Sequence, residues 1–258
     1  MRNGLFPIFT KGRVLKKESI EYLRDFPYDL AALARESFSD GILFGFSVGS
    51  SDDGKRIVVS KGALKYQGDI IVVPEGAVAV QEYGELLYLR LAVGDARETE
   101  DYRTRNMEQK LDRQGAGAGN GAGNEIELGR FCLNSGAVLR CEYHSFGDLR
   151  TPENTLDITR VYYAGRMAPT LHPRALREYA QALLAASHDP AEIAFALMCM
   201  NAGVVHKGSI QWHIAKKTER PYEEYTLPAL YDKLVELLPQ HGPMGRRERQ
   251  RGRGPSIV

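Results

Sequence analysis

The sequence predicts an α+β protein: an N-terminal, mainly antiparallel β-domain, sandwich- or barrel-like and carrying short N-terminal helices, followed by a small α-helical module. Three observations carry that prediction. Between Asp40 and Gly76, short apolar runs alternate with tight-turn residues. Leu86 to Val93 and Ile126 to Leu133 repeat the strand pattern further on. From Thr170 the apolar spacing lengthens to the three and four residues of a helix. The expected division is 1–168 as a mainly β domain with a flexible loop at 97–124, then 169–240 as the helical module and 241–258 as a disordered basic tail.

In chain order, Leu5-Phe6-Pro7-Ile8-Phe9 is an apolar arm too aromatic to be left in water, so Phe6, Ile8 and Phe9 are candidate interaction residues. Lys16 to Phe26 places Ile20, Leu23 and Phe26 at helical spacing; Pro27 interrupts, and Tyr28 to Phe38 resumes with Leu30, Leu33 and Ala34. These predict two short amphipathic helices that cover an open face or edge of the β-module, or, in a sharper reading, contact a neighbouring subunit. The stretch from Asp40 reads as a β-meander. Ile42 to Val48 is a strand, Ser51-Asp52-Asp53-Gly54 its turn, Arg56 to Ser60 the return, and Gln67-Gly68 a second turn. Asp69 to Val73, a continuous Ile and Val run, predicts a strand buried on both faces.

Glu85 to Val93 is a further strand. After it, Ala96 to Gln114 is rich in Arg, Glu and Asp, and Gly115 to Asn124 is a Gly-Ala-Gly-Asn tract, which together predict an exposed loop joining two strands and open to trypsin near Arg103, Arg105 or Arg113. Glu125 to Leu133 and Ala137 to Tyr143 predict a hairpin, and Leu156 to Tyr163 another strand. Pro173 opens a helix to Ser187, Asp189-Pro190 caps and opens a second that Gly203 closes, and a third runs from Pro221 or Pro228 to Leu238. The end, from Gly245 to Gly254, is basic and low in complexity.

Composition narrows the class. With 258 residues, 43% hydrophobic and 26% charged, the chain can bury a core, and its net charge of +1 gives no bulk attraction to nucleic acid or membrane. Three cysteines, Cys132, Cys141 and Cys199, are too few for a disulfide framework, so a reducing compartment is expected. No apolar run reaches the roughly 20 residues of a membrane span, and the first residues lead into no signal-peptide core. The expectation is a protein cytoplasmic when made, without a membrane partner.

Residues for catalysis are sparse. The glycine tract lacks the Lys-Ser or Lys-Thr of a phosphate-binding loop. Cys132, Cys141 and His144 match no zinc spacing and read as core or hairpin residues. His206 and His213 flank Trp212 without an identifiable carboxylate and read as structural. Asp52 and Asp53 are turn residues, and Asp25, Asp29, Glu36 and Asp40 are too irregular for a calcium loop. No catalytic, cofactor or metal residue is assigned, and no enzyme activity or cofactor is expected.

The order Lys11-Gly-Arg-Val-Leu15, Leu23-Arg-Asp-Phe-Pro27, Phe38-Ser-Asp-Gly-Ile-Leu-Phe-Gly45 and Val59-Ser-Lys-Gly-Ala-Leu-Lys-Tyr-Gln-Gly68 resembles phage-tail and baseplate-associated proteins of prophages and phage-like contractile tail elements. Asn124-Glu-Ile-Glu-Leu-Gly-Arg-Phe131 and Asn154-Thr-Leu-Asp-Ile158 continue the resemblance, which spans roughly Leu5 to Gly165. Members of that group are sometimes labelled helicases, but this chain has no Walker lysine motif and no Asp-Glu-x-Asp or Asp-Glu-x-His box. The resemblance implies a non-enzymatic structural component of the baseplate or of tail-fibre attachment and assembly. Its expected partners are other tail subunits and copies of itself in a symmetric virion or tail particle. An alternative is a nucleic-acid-binding accessory protein, with Arg246, Arg247, Arg249, Arg251 and Arg253 giving weak, salt-sensitive affinity. A third possibility is an enzyme with a site between the β-module and the helices, for which no residues are named.

Overall fold

The structure is a computed structural model, describing residues 7–12, 14–81, 83–100, 103–113 and 124–238. The described residues are α+β, with the strands first and most of the helices after them.

The chain opens with α1 (Lys17–Ala34), one helix where two were expected, with Pro27 inside it. The good helix formers on either side, Glu18 to Arg24 and Leu30 to Ala34, carry it through at the expense of the hydrogen bond that Pro27 cannot donate. No residue of α1 is buried. The turn that follows it is anchored by the Lys65 ammonium, which donates to the carbonyls of Arg35 (3.0 Å), Glu36 (3.0 Å) and Phe38 (2.7 Å), placing a cation where the helix dipole is negative.

Six short strands follow: β1 (Gly41–Gly45), β2 (Val48–Ser50), β3 (Arg56–Val59), β4 (Gly62–Tyr66), β5 (Asp69–Val73) and β6 (Gly76–Ala79). They do not form one meander. β1, β4 and β5 make one antiparallel sheet in the order β1-β4-β5, and β2, β3 and β6 a second in the order β2-β3-β6. The chain first changes sheet at Gly45 and Phe46, where both φ angles are positive (80° and 56°). A Cβ on Gly45 would lie 2.4 Å from the Lys61 carbonyl oxygen, and one on Gly62 would lie 2.4 Å from the Phe46 ring. The two glycines let the backbones close while Phe46 turns into the core at 4% exposure.

Both turns form as expected. Asp53 accepts from the Ser51 hydroxyl and the Lys55 amide at 2.6 and 3.0 Å, and Gln67 and Gly68, with φ of 51° and 86°, make the two-residue β4–β5 hairpin. β5 is not buried on both faces. It is an edge strand, and Val72 is 57% exposed.

The third sheet is the largest: β7 (Leu86–Glu98), β8 (Arg103–Asp112) and β9 (Glu125–Cys132), in the order β8-β7-β9. Leu87, Leu89, Leu91 and Val93 of β7 alternate into the core at 2% exposure or less. Most of the charged stretch expected to be loop is strand β8, because Met107 and Leu111, two positions either side of Gln109, pack against that core while the intervening charges face out. The glycine tract at 114–123 lies outside the described residues. On the other face of β7, Arg90 is only 4% exposed and its guanidinium pairs with Asp112 and Glu125 at 3.3 and 3.1 Å.

Beyond β9 the expected hairpin partner (137–143) and the expected strand (156–163) are irregular, joined through isolated bridges such as Arg140 with Thr155 and Arg130 with Asp157. Their contacts are side-chain contacts: the Arg140 guanidinium donates to Asp148 (2.7 Å) and to the Thr155 hydroxyl (2.9 Å). Arg140 and the Thr151 hydroxyl hold the Asp148 carboxyl far below the ordinary carboxylate range. A short 3-10 helix, Phe146–Arg150, sits between these segments and buries Phe146 and Leu149.

The remaining helices are α2 (Pro173–Ala186), α3 (Pro190–Asn201), α4 (Lys207–Thr218) and α5 (Leu227–Leu237). Three match the sequence expectation; α4 does not. His172, Asp189, His206 and Thr226 cap the four N-termini through their side chains. Phe146 joins the helices to the strands: its ring packs against Tyr179 (5.2 Å between centroids) and Tyr231 (4.7 Å), and the Tyr231 hydroxyl donates to its carbonyl at 2.8 Å. One continuous buried cluster runs from Ile42 to Leu234.

Two expectations follow for experiment. Because β8 protects Arg105, limited trypsin digestion cleaves after the exposed Arg113 and spares Arg105, and the fragments stay together on a sizing column because β7 pairs with β9 from Leu86 and Cys132 to Ala92 and Glu125. Cleavage at Arg105 under native conditions would show that β8 is not formed.

The second expectation concerns pH. Burial lowers His213 to about 4; burial, then Arg174 and Arg177, lowers His172 to about 3, both from 6.5. As pH falls below 6.5 the unfolded chain takes up protons that the native chain refuses, so stability is full above that value and declines toward the folded values. His172→Asn keeps an N-cap and cannot titrate, so its melting temperature declines less steeply between about pH 6.5 and 5. An unchanged slope would remove His172 from this account.

Candidate functional site

Ile8 and Phe9 are 77% and 54% exposed. Phe6 and the arginines Arg246, Arg247, Arg249, Arg251 and Arg253 lie outside the described residues. The exposed apolar residues do not stop at the arm. Val14 and Leu15 are 90% and 55% exposed, and α1 continues with Ile20, Leu23, Phe26, Leu30 and Leu33, each between 46% and 69% exposed. Their spacing of three and four residues puts them along one side of the helix. Tyr22 stacks on Phe26 at 5.5 Å between ring centroids and extends this surface. α1 touches the edge strand β5, as a helix over an edge of the β-module would, but buries none of its own residues there.

The cysteines and histidines have structural places. Cys132, Cys141 and Cys199 are free thiols, and burial raises Cys141 to about 11 and Cys199 to about 12, away from a reactive thiolate. His206 accepts from the Gly208 amide as the cap of α4. His213 stacks on Phe195, 3.9 Å between centroids and 4° between planes, with its Nε2 2.9 Å from the Tyr179 hydroxyl. Among the described residues no group of His, Cys, Asp and Glu is placed to hold a metal, and no helix is long and apolar enough to cross a membrane.

A second feature lies between the strands and the helices, where the sequence allowed a site but named no residues for it. Between β1 and the N-terminal end of α2 lies a cleft of about 1180 Å³, above the roughly 300–1,000 Å³ usual for a small-molecule site. Its walls carry Arg35, Arg166, Arg174 and Arg177 against two carboxylates, Glu142 and Glu178. The Arg174 guanidinium pairs with Glu142 and lies 4.8 Å from the centre of the Tyr143 ring; that of Arg35 lies 4.8 Å from the centre of the Phe38 ring. Phe44, 57% exposed, adds an apolar surface. These arginines come from the end of α1, from the loop before α2 and from α2 itself, so no local motif announces them.

The sequence matches no family model and no curated protein. Among solved structures, 90% of the chain superposes on TssK in a crystal structure, with a TM-score of 0.38, 9% identity and 68% of that chain covered. It also superposes, again over 90% of its length, on a chain of the TssK-TssF-TssG baseplate subcomplex of the type VI secretion system (TM-score 0.39, 12% identity, 97% of that chain). A chain of the type VI secretion baseplate complex is similar at a TM-score of 0.34 and 11% identity, with 90% of this chain and 98% of that chain covered.

Proposed function

We propose that this protein is a non-enzymatic structural component of a phage-like contractile tail, placed at the baseplate or at fibre attachment, and that α1 is the element it buries against neighbouring subunits. The observation that carries this reading is an 18-residue helix with none of its residues buried and five large apolar side chains along one side. A helix of that length, interrupted by proline, is marginal in water without an apolar partner. Monomeric proteins rarely expose a continuous apolar surface of this kind, whereas subunits of an assembly cover it with the next subunit. The sequence resemblance to baseplate-associated proteins supplies the class of assembly. The likeness to solved baseplate chains is too loose to add to the reading.

The test is co-sedimentation of tagged protein with intact tail particles from a producing cell. The wild-type chain pellets with the particles; the double variant Leu23→Asp, Leu30→Asp stays in the supernatant. Both positions are solvent-exposed, so the isolated variant keeps its stability to within about 1 kcal/mol, the helix-propensity cost of two Leu-to-Asp changes. Wild-type protein confined to the soluble fraction would overturn the assignment, and a variant that still pellets would overturn the role of α1.

A further inference from the structure

The chain carries a net charge of only +1, yet one cleft gathers four arginines and no lysine. Arginine rather than lysine favours a planar, bidentate anion such as a carboxylate. Arg166 and Arg177 are exposed, and among the described residues no carboxylate pairs with either. Arg174 already holds one carboxylate, that of Glu142, whose side chain is 84% exposed, so the cleft accepts this ligand chemistry and the internal partner is free to be displaced.

Two further features act in the same direction. His172 and His206, the N-caps of α2 and α4, both line the cleft, so the positive ends of two helices, 14 and 12 residues long, open on it. Apolar side chains, Phe38, Phe44 and Val204, stand among the charges. A polyphosphate would meet Glu142 and Glu178 on the same walls and would gain little from the apolar residues. An extended peptide uses both, and the cleft is larger than one small ligand needs.

We propose that this cleft binds an acidic peptide segment of a partner protein, its Asp or Glu carboxylates taken by Arg35, Arg166 and Arg177 and an aromatic or aliphatic side chain set against Phe44. The site is independent of the α1 surface and of the contractile-tail reading, since it is measured on the isolated chain.

The test is fluorescence anisotropy of the full chain with a labelled peptide that alternates acidic with aromatic and leucine residues. A peptide with lysine in place of the acids and a labelled single-stranded DNA are the comparison probes. The acidic peptide binds, and the double variant Arg166→Glu, Arg177→Glu weakens it by at least about tenfold, while Arg220→Glu, an exposed arginine outside the cleft, leaves it within about twofold. Phe44→Ser weakens the acidic peptide as well. The proposal is overturned if the acidic peptide does not bind, if the double variant binds it as wild type does, or if the DNA binds more tightly than the peptide and loses affinity in the same variant. Thermal melts of each variant confirm that the fold is kept.

Discussion

The fold depends on strand β7 and on the contrast between its two faces. Leu87, Leu89, Leu91 and Val93 on one side are within 2% of full burial, while Arg90 on the other is nearly as enclosed but answered by Asp112 and Glu125. A one-residue slip in pairing would put the arginine into the apolar core and the leucines against carboxylates, so register is fixed from both sides at once. β7 is also the central strand of its sheet, with β8 on one edge and β9 on the other. Tyr88 strengthens the polar face, with the guanidinium carbons of Arg90 and Arg130 at 5.0 and 4.7 Å from its ring centre.

The second constraint is the attachment of the helices to the strands, which runs through Phe146 on a 3-10 turn of only five residues. Tyr179 and Tyr231 pack on its ring from α2 and α5, and the Tyr231 hydroxyl satisfies its carbonyl. The Arg150 guanidinium pairs with Asp232 and lies 4.3 Å from the centre of the Tyr231 ring, so the same turn grips α5 a second time by charge. The irregular backbone before and after this turn is stabilised by side chains such as Arg140 and Asp148 rather than by strand ladders. That is why the apolar runs at 137–143 and 156–163 look like strands in sequence and are not strands in the structure.

What the sequence discloses follows from how local the cause is. Gln67-Gly68, the Asp189-Pro190 cap and the leucine alternation of β7 act within a few residues, and the elements they predict are present. The exchange of strands between two sheets depends on Gly45 meeting Lys61 and on Phe46 meeting Gly62, contacts that no local pattern records. α4 was missed because its buried residues, Ile210, Gln211, Ile214 and Ala215, include a glutamine, satisfied by the Glu223 carbonyl and the Tyr222 hydroxyl, so its apolar stripe is too narrow to read. β8 was missed for a related reason: an edge strand shows the core one face only, and Met107 and Leu111 are few among the charges. The candidate arm and basic tail were chosen by composition, whereas the basic cleft is assembled from residues far apart in the chain.

The placement of α1 can be argued one step further from its sequence and its contacts together. Its C-terminal end is fixed by Lys65, which binds three carbonyls of the connecting turn, while its apolar side is left exposed by the described residues. Fixing one end gives the helix a defined direction without stabilising its length, since Pro27 removes a hydrogen bond near its middle and a helix of this size draws most of its stability from packing. The missing contribution is an apolar surface about as long as the helix. In the assembly proposed above, a neighbouring subunit supplies that surface. The arm at Ile8 and Phe9, exposed ahead of α1, adds further apolar side chains that have to be covered in such an assembly.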